Sequence, residues 1–172
     1  MLSMLRSKKG QFYILIALLL ISYAFQLARQ EAPIRKQSDA FQLLHEGYLA
    51  EGARVINNAV YEEANVTERF RSFTDDYVAF AKSSEPSFGL AYLLRYKDTL
   101  TIGNRLAAGL NVTAGGASFL VPQNSESTVS ASNATLTVSG ISYDFGFSGS
   151  DIQLKALFRA SDRLTTRVFV QG

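Results

Sequence analysis

Few side chains in this sequence are of the types that carry out chemistry. The 172 residues include no cysteine and a single histidine, His45. The lack of cysteine excludes disulfides, thiol nucleophiles and cysteine-ligated metals. Because there is only one histidine, a histidine-based triad would have to use His45. On a helical wheel His45 lies about 40° from Phe41, on the apolar side of its predicted helix. This position favours a packed structural histidine over a catalytic one.

Acidic residues occur in two adjacent pairs and one scattered set. The members of Glu62–Glu63 and of Asp75–Asp76 would diverge by about 100° on a helix, so neither pair can share one substrate proton. We interpret them as solvent-exposed charges. Asp144, Asp151 and Asp162 could approach each other as oxygen ligands, but they lack the dense spacing of a calcium loop. The sequence therefore predicts no catalytic residue, no metal and no cofactor.

Three tripeptides match the acceptor pattern for N-linked glycosylation: Asn65-Val66-Thr67, Asn111-Val112-Thr113 and Asn133-Ala134-Thr135. All three follow the apolar segment described below, on the side that we predict to be outside the membrane, so each asparagine is a candidate site. Asn65 and Glu68 also have the spacing of a helix cap, which gives Asn65 a competing structural role.

The charge distribution argues against nucleic-acid binding. The net charge is +2, from 17 basic and 15 acidic residues. Arg6, Lys8 and Lys9 account for three of the basic residues, which leaves 14 basic against 15 acidic residues from Gln11 onward. A body that is almost neutral and has no basic stripe with interleaved aromatics lacks the electrostatic footprint of a nucleic-acid-binding protein.

The N-terminal stretch SKKGQFYILIALLLISYAFQLARQ contains an uncharged apolar run from Phe12 to Ala28. As a helix this run would reach roughly 25 Å, and extension to residues 11–29 would approach the ~30 Å hydrocarbon core of a bilayer. The basic cluster that precedes it favours a cytoplasmic N-terminus. We therefore predict a transmembrane helix over residues 11–29, with the rest of the chain outside.

Three interpretations of this segment compete. Phe12 to Ile21 has no polar face for solvent, which disfavours a buried core helix. An ordinary secretory signal would be cut after Ser22-Tyr23-Ala24, a small-x-small signature, and would lose the apolar run. An uncleaved or pilin-like anchor would retain it.

The motif Lys8-Lys9-Gly10-Gln11 resembles the processing site of type IV pilin-like precursors, especially archaeal ones with a class III signal peptide. The resemblance covers about the first 25 residues and implies that a prepilin-type peptidase cuts between Gly10 and Gln11. The apolar helix would then remain in the mature protein, among membrane lipid or like subunits of a filament. Many bacterial pilins have a glutamate five residues into the mature chain, where this sequence has Leu15. Archaeal members often lack that glutamate.

Beyond a linker at residues 30–36, the sequence predicts a helical stem or hairpin over residues 37–85. From Gln37 to Ala64, apolar residues recur at helical spacing. Gly52 lies on this stripe, where its missing side chain predicts close approach of another element. A second helix begins after Asn65, carries four aromatic residues on or near its apolar face, and ends before Pro86.

Over residues 86–172 the apolar residues recur with a period of two instead of the helical period. Six runs rich in Thr, Val, Leu, Ile and Phe are separated by Gly, Asn, Ser or Asp, which predicts an antiparallel, sandwich-like β-domain, with a curled single sheet as the alternative. Leu136 and Val138 alternate with threonines in one run, and Leu154, Ala156 and Phe158 share a face in another. Residues 125–132 are interpreted as an exposed loop or a strand edge. The fold class is thus α+β, with an N-terminal transmembrane helix, two amphipathic helices and a C-terminal antiparallel β-domain.

These patterns favour a non-enzymatic protein of the cell surface. The resemblance implies a pilin-like subunit, either a minor pilin or a filament accessory protein, anchored by its N-terminal helix. The alternative is a single-pass, membrane-anchored binding module that captures a carbohydrate or a protein with its extracytoplasmic domain.

Overall fold

The computed structural model describes residues 40–149, 152–161 and 166–171, which form two helices followed by antiparallel strands. Helix α1 covers residues 40–61, and helix α2 covers Val66–Ser84. Asn65 caps α2, because its Oδ1 accepts a hydrogen bond from the backbone N–H of Glu68 at 3.1 Å. Both helices agree with the hairpin predicted from periodicity and capping.

The strands form two sheets in which every pair is antiparallel. One sheet has the order β5-β2-β1-β8-β9, and the other has the order β4-β3-β6-β7. The strands are β1 (Gly89–Tyr96), β2 (Thr99–Asn104), β3 (Leu110–Ala114), β4 (Ala117–Val121), β5 (Ser125–Val129), β6 (Asn133–Val138), β7 (Ile141–Gly146), β8 (Gln153–Ser161) and β9 (Thr166–Gln171).

Two of the six predicted runs are hairpins. Residues 110–121 turn at Gly115-Gly116, and residues 134–147 turn at Ser139-Gly140. All four turn residues have positive φ, the geometry that two-residue hairpin turns prefer because it matches strand twist. The stretch interpreted as a loop or strand edge contains β5, which lies at the edge of the five-stranded sheet.

The described residues pack in three layers: the helices, the five-stranded sheet and the four-stranded sheet. Strand β1 shows why, since six consecutive residues from Gly89 to Leu94 are buried. Leu90, Tyr92 and Leu94 belong to the core shared with the helices, whereas Ala91 and Leu93 belong to the core between the sheets. A strand covered on both faces has no polar alternation, because both sets of side chains leave water.

Helix α1 approaches the sheet closely at Gly52. A β-carbon there would lie 3.1 Å from Cε2 of Phe70 on α2 and 3.2 Å from Cδ2 of Leu154 on β8. The close approach predicted at this glycine is therefore confirmed.

The chain crosses from one sheet to the other between β2 and β3, where a buried asparagine holds the connection. Asn104 Nδ2 donates to the carbonyls of Ala108 at 2.9 Å and Val121 at 3.0 Å, and its Oδ1 accepts from Leu106 N at 2.9 Å. These bonds satisfy backbone groups that would otherwise be buried without partners. The side chain of Asn104 thus stabilises the connection between the two sheets.

No helix in the part of the chain that the structure describes has the length and hydropathy needed to cross a membrane. The leader 1–10, the predicted span 11–29, the linker 30–36 and the first residues of the predicted stem lie outside the described residues. The transmembrane helix therefore stays a prediction.

Candidate functional site

His45 is packed within a cluster of aromatic rings. Its side chain is 5% exposed, and its ring centroid lies 3.8 Å from that of Phe169 on β9 and 5.7 Å from that of Phe158 on β8. Its Nδ1 lies 3.2 Å from the backbone oxygen of Phe41. Because these neighbours are apolar rings and a backbone carbonyl, the geometry is that of a structural histidine, as the sequence favours.

The acidic residues do not converge on one site. Within the described ranges, no three His, Cys, Asp or Glu side chains are placed to hold a metal ion. Glu62 lies 3.5 Å from Arg69 in a surface ion pair. Asp144 accepts a hydrogen bond from Thr135 at 2.6 Å. Asp151 and Asp162 lie outside the described residues.

The densest polar cluster surrounds Arg105, directly after β2. The Arg105 side chain is 6% exposed, and its Nε donates to Asp75 Oδ1 on α2 at 2.5 Å. Its Nη2 donates to Glu126 Oε1 on β5 at 3.0 Å. Asp75 is solvent-exposed, as the sequence predicts, with a side chain that is 52% exposed, and Arg105 reaches it across the interface between helix and sheet. This cation ties α2 to the edge of the five-stranded sheet.

Two tyrosines extend this cluster into the core. Tyr92 on β1 donates to Glu126 Oε1 at 2.7 Å, so one carboxylate oxygen accepts from both Tyr92 and Arg105. Tyr48 on α1 lies 2.9 Å from Thr74 Oγ1 on α2, and Thr74 donates to the Phe70 carbonyl at 2.9 Å. Hydrogen-bonded partners of this kind are what make buried polar groups tolerable.

Burial governs the protonation of the cluster. Burial raises the pKa of Tyr48 well above its usual value of 10.0. Burial and the hydrogen bond to Glu126 raise the pKa of Tyr92 in the same way. For Arg105, burial lowers the pKa and the hydrogen bond to Asp75 raises it, with a net rise. The tyrosines are thus held neutral and the arginine charged, which suits a structural ion pair rather than proton transfer.

A polar pocket of about 400 Å³ opens at one end of the sandwich. Arg95, at the end of β1, lines it together with Asp98 in the β1–β2 turn, Gly115 in the β3–β4 turn and residues 130–133, which lead from β5 into β6. The Nε of Arg95 is buried and has no hydrogen-bond partner among the described residues. A charged side chain with one unsatisfied donor lines this pocket, which makes it the strongest candidate binding site.

A second groove, of about 320 Å³, lies between α1 and strand β8 and is mostly apolar. Leu49, Ala53 and Ile56 line it from the helix, and Ile152 and Leu154 line it from the sheet side. Asn57 and Gln171 are the polar residues of its lining, which offers hydrophobic contact but no charged group to orient a polar ligand.

The three candidate glycosylation asparagines are all exposed, but they lie on two different parts of the fold. Asn65 caps α2 on the helical layer. Asn111 on β3 and Asn133 on β6 belong to adjacent strands of the four-stranded sheet. The threonines of their sequons, Thr113 and Thr135, are direct partners in the register of those strands. Alternation of burial along both strands places all four residues on the outer face.

Sequence reasoning missed Arg95, Arg105 and Glu126. One signal was available for Arg95, because it continues the alternation of Ala91 and Leu93 and so puts a charge at an inward position of a buried strand. Arg105 and Glu126 carried no local signal, since their side-chain partners are 21 to 34 residues away.

Comparison with known proteins gives no relative for this chain. It matches no protein family, no curated protein and no solved structure.

Proposed function

We propose that this protein is a membrane-anchored, pilin-like protein of the cell surface, with no enzymatic activity, that serves as a minor pilin or a filament accessory subunit. The observation that carries the proposal is the apolar segment 11–29 preceded directly by Lys8-Lys9-Gly10-Gln11. A cut after Gly10 would place the apolar segment at the start of the mature chain, where it serves as an anchor instead of being discarded.

The proposed topology has the N-terminus in the cytoplasm and the domain that begins near residue 37 outside the cell. The basic cluster Arg6, Lys8 and Lys9 supports this orientation through the preference of positive charge for the cytoplasmic side. The Ser, Thr and Asn content of the four-stranded sheet's outer face, including Asn111 and Asn133, fits an extracytoplasmic surface that carries glycans.

The proposed mechanism is mechanical. Roughly 17 apolar residues, at ~0.5 kcal/mol or more each, would partition into lipid strongly enough to hold the protein in a membrane. In a filament the same residues would leave the lipid and pack against the apolar helices of like subunits. The membrane lipid, a prepilin-type peptidase and copies of this chain are then the partners.

The environment of the chemistry-bearing residues supports a non-enzymatic role. His45 is packed among aromatic rings, and Arg105 is enclosed between α2 and the sheet. Neither residue lines the polar pocket beside Arg95 or the groove between α1 and β8.

The N-terminus of the mature protein in its native membranes tests the proposal. Intact mass and N-terminal sequencing should give a chain that starts at Gln11 and fractionates with membranes. Gly10→Leu should retain residues 1–10, whereas Ser3→Ala, in the same leader, should be processed like the wild type. A start at Phe25 in a released protein would refute the anchor, and a start at Met1 would refute pilin-like processing.

The alternative is a single-pass anchored binding module for a carbohydrate or protein ligand. The polar pocket beside Arg95 is the observation that favours it. The two roles share the same anchor and differ in whether the outer domain binds a ligand or packs against like subunits.

A further inference from the structure

Arg95 occupies an unusual position for a charged side chain. It follows Ala91 and Leu93 on the face of β1 that packs against the four-stranded sheet, and its partner on β2 is Leu100, which is also in the core between the sheets. Strand alternation therefore directs Arg95 into the open end of the sandwich. Its Nε is buried and has no hydrogen-bond partner among the described residues, which is costly for a guanidinium N–H.

The walls of the pocket come from three separate segments that are tied together. Ser130 Oγ donates to the Asp98 carbonyl at 3.3 Å, and the Phe147 N–H donates to the Ser132 carbonyl at 2.8 Å. Gly115 has φ +58°, and a β-carbon there would lie 3.3 Å from the Ser130 carbonyl oxygen. The β3–β4 turn is thus pressed against the segment that leads into β6. The pocket is preformed in the folded domain.

We propose that this pocket binds a carboxylate-bearing sugar, namely a hexuronic acid unit of an acidic polysaccharide. The two Nη groups of Arg95 form a planar fork that matches a carboxylate. Asp98 and Ser132 line the same pocket and offer acceptors and a donor for ring hydroxyls. The volume of about 400 Å³ lies in the range of small-molecule sites.

The composition of the lining selects this ligand among anions. Asp98 places a carboxylate in the same pocket as Arg95, which disfavours phosphate and other multiply charged anions by like-charge repulsion. A ligand with one negative charge and several hydroxyl donors satisfies both residues. This proposal gives a ligand class to the binding-module alternative. It depends on the pocket and not on the N-terminal segment, so a negative binding result would leave the anchoring proposal intact.

The test is calorimetric titration of the full-length protein in mild detergent with two forms of trigalacturonate. The free acid should bind saturably, and its fully methyl-esterified form, which keeps the hydroxyls but lacks the charge, should bind at least about tenfold more weakly. Arg95→Gln should lose about tenfold or more in affinity for the acid, and Arg95→Lys should lose less, because it keeps the charge without the fork. Arg71→Gln, on the exposed side of α2, is the matched control and should bind like the wild type.

Several outcomes would overturn the site. These are equal binding of acid and ester, equal affinity of Arg95→Gln and Arg71→Gln, tighter binding of inorganic phosphate, or no saturable binding, which would mean that water alone fills the pocket. Thermal unfolding checks that each variant is folded. If Arg95→Gln does not fold, Ser132→Ala replaces it and should weaken binding of the acid, because it removes a hydroxyl group from the pocket lining without changing the charge. The N-terminal mass of the same preparation reports separately on the anchor.

Discussion

The ring of Tyr92 lies across Gly103 of the neighbouring strand, so that a β-carbon at position 103 would fall 2.1 Å from the nearest ring atom. The two residues are direct partners between β1 and β2, and Gly103 is in turn paired with Glu126 on β5. Because position 103 has no side chain, the Tyr92 hydroxyl reaches across β2 to Glu126. This glycine opens the path for a hydrogen bond between strands that are not adjacent.

Gly103→Ala should therefore destabilise the fold by about 1–3 kcal/mol, because the added methyl group displaces the Tyr92 ring and breaks its bond to Glu126. Chemical denaturation would measure the change in the free energy of unfolding. Gly146→Ala on β7 is the control, since a β-carbon there has nothing within 4 Å. Equal losses in the two variants would contradict the prediction.

Arg105→Met should be more damaging, with a loss of about 3–5 kcal/mol, because it leaves the 17% exposed Glu126 carboxylate without its cation. Asp75→Asn should lose less, because Asp75 is 52% exposed and solvent screens its charge. Arg54→Met, which breaks the exposed surface pair with Glu51, should change stability by only about 0–1 kcal/mol. A loss for Arg105→Met no larger than that of Arg54→Met would refute the role assigned to the cluster.

Stability should fall in alkaline solution because of Tyr48 and Tyr92. Both have a folded-state pKa raised above the usual 10.0, chiefly by burial. Above pH 10 the unfolded chain loses these protons while the folded chain keeps them, so the unfolded state is favoured as the pH rises. Well below pH 10 both states keep these protons, so the two tyrosines do not make the free energy of unfolding depend on pH. Unfolding free energies measured between pH 8 and pH 11 would reveal the decline.

The decline should become shallower in Tyr92→Phe and in Tyr48→Phe, since each variant removes one group that must stay neutral. Tyr61→Phe, at a side chain that is 90% exposed, should leave the slope as in the wild type. If all three variants followed the same curve, the buried tyrosines would not be the source of the pH dependence.

Glycan attachment should concentrate on the outer face of the four-stranded sheet. Peptide mass spectrometry of the protein from its native membranes should find modified Asn111 and Asn133, whereas Asn65, whose side-chain oxygen caps α2, should be unmodified. Thr113→Val and Thr135→Val should each abolish one site. Thr137→Val, on the same face but outside any sequon, should leave both sites occupied. Modification confined to Asn65 would count against this assignment.

Much of the local structure was readable in the sequence. Asn65 with Glu68 predicted the cap of α2, the helical period predicted α1, and Gly52 predicted the close approach that Phe70 and Leu154 make. These features depend on residues within a few positions of each other, or on the absence of a side chain. Two of the predicted runs contain glycines at which the chain turns, and these glycines are local signals of a hairpin. The alternating pattern nevertheless predicted each of these runs as one unit.

The binding pocket and the Arg105 cluster were not readable in the same way. Arg105 meets Asp75 from 30 positions away, and the pocket at Arg95 joins the β1–β2 turn to chain segments that follow β3 and β5. Which turns meet at one end of the sandwich depends on the order of strands in two sheets. That order is decided by long-range pairing, on which short-range patterns carry little information.

By itself, the sequence determined the α+β class, the positions of the two helices and the alternating strands, because hydrophobic period and capping act over a few residues. It also supplied the apolar segment 11–29 and the motif before it, on which the proposed anchor depends. Only the tertiary structure decided that β5 pairs with β2, that Arg105 joins helix to sheet, and that Arg95 enters a polar pocket. Those outcomes follow from packing between residues far apart in the chain, where burial and partner, rather than residue type, give each side chain its role.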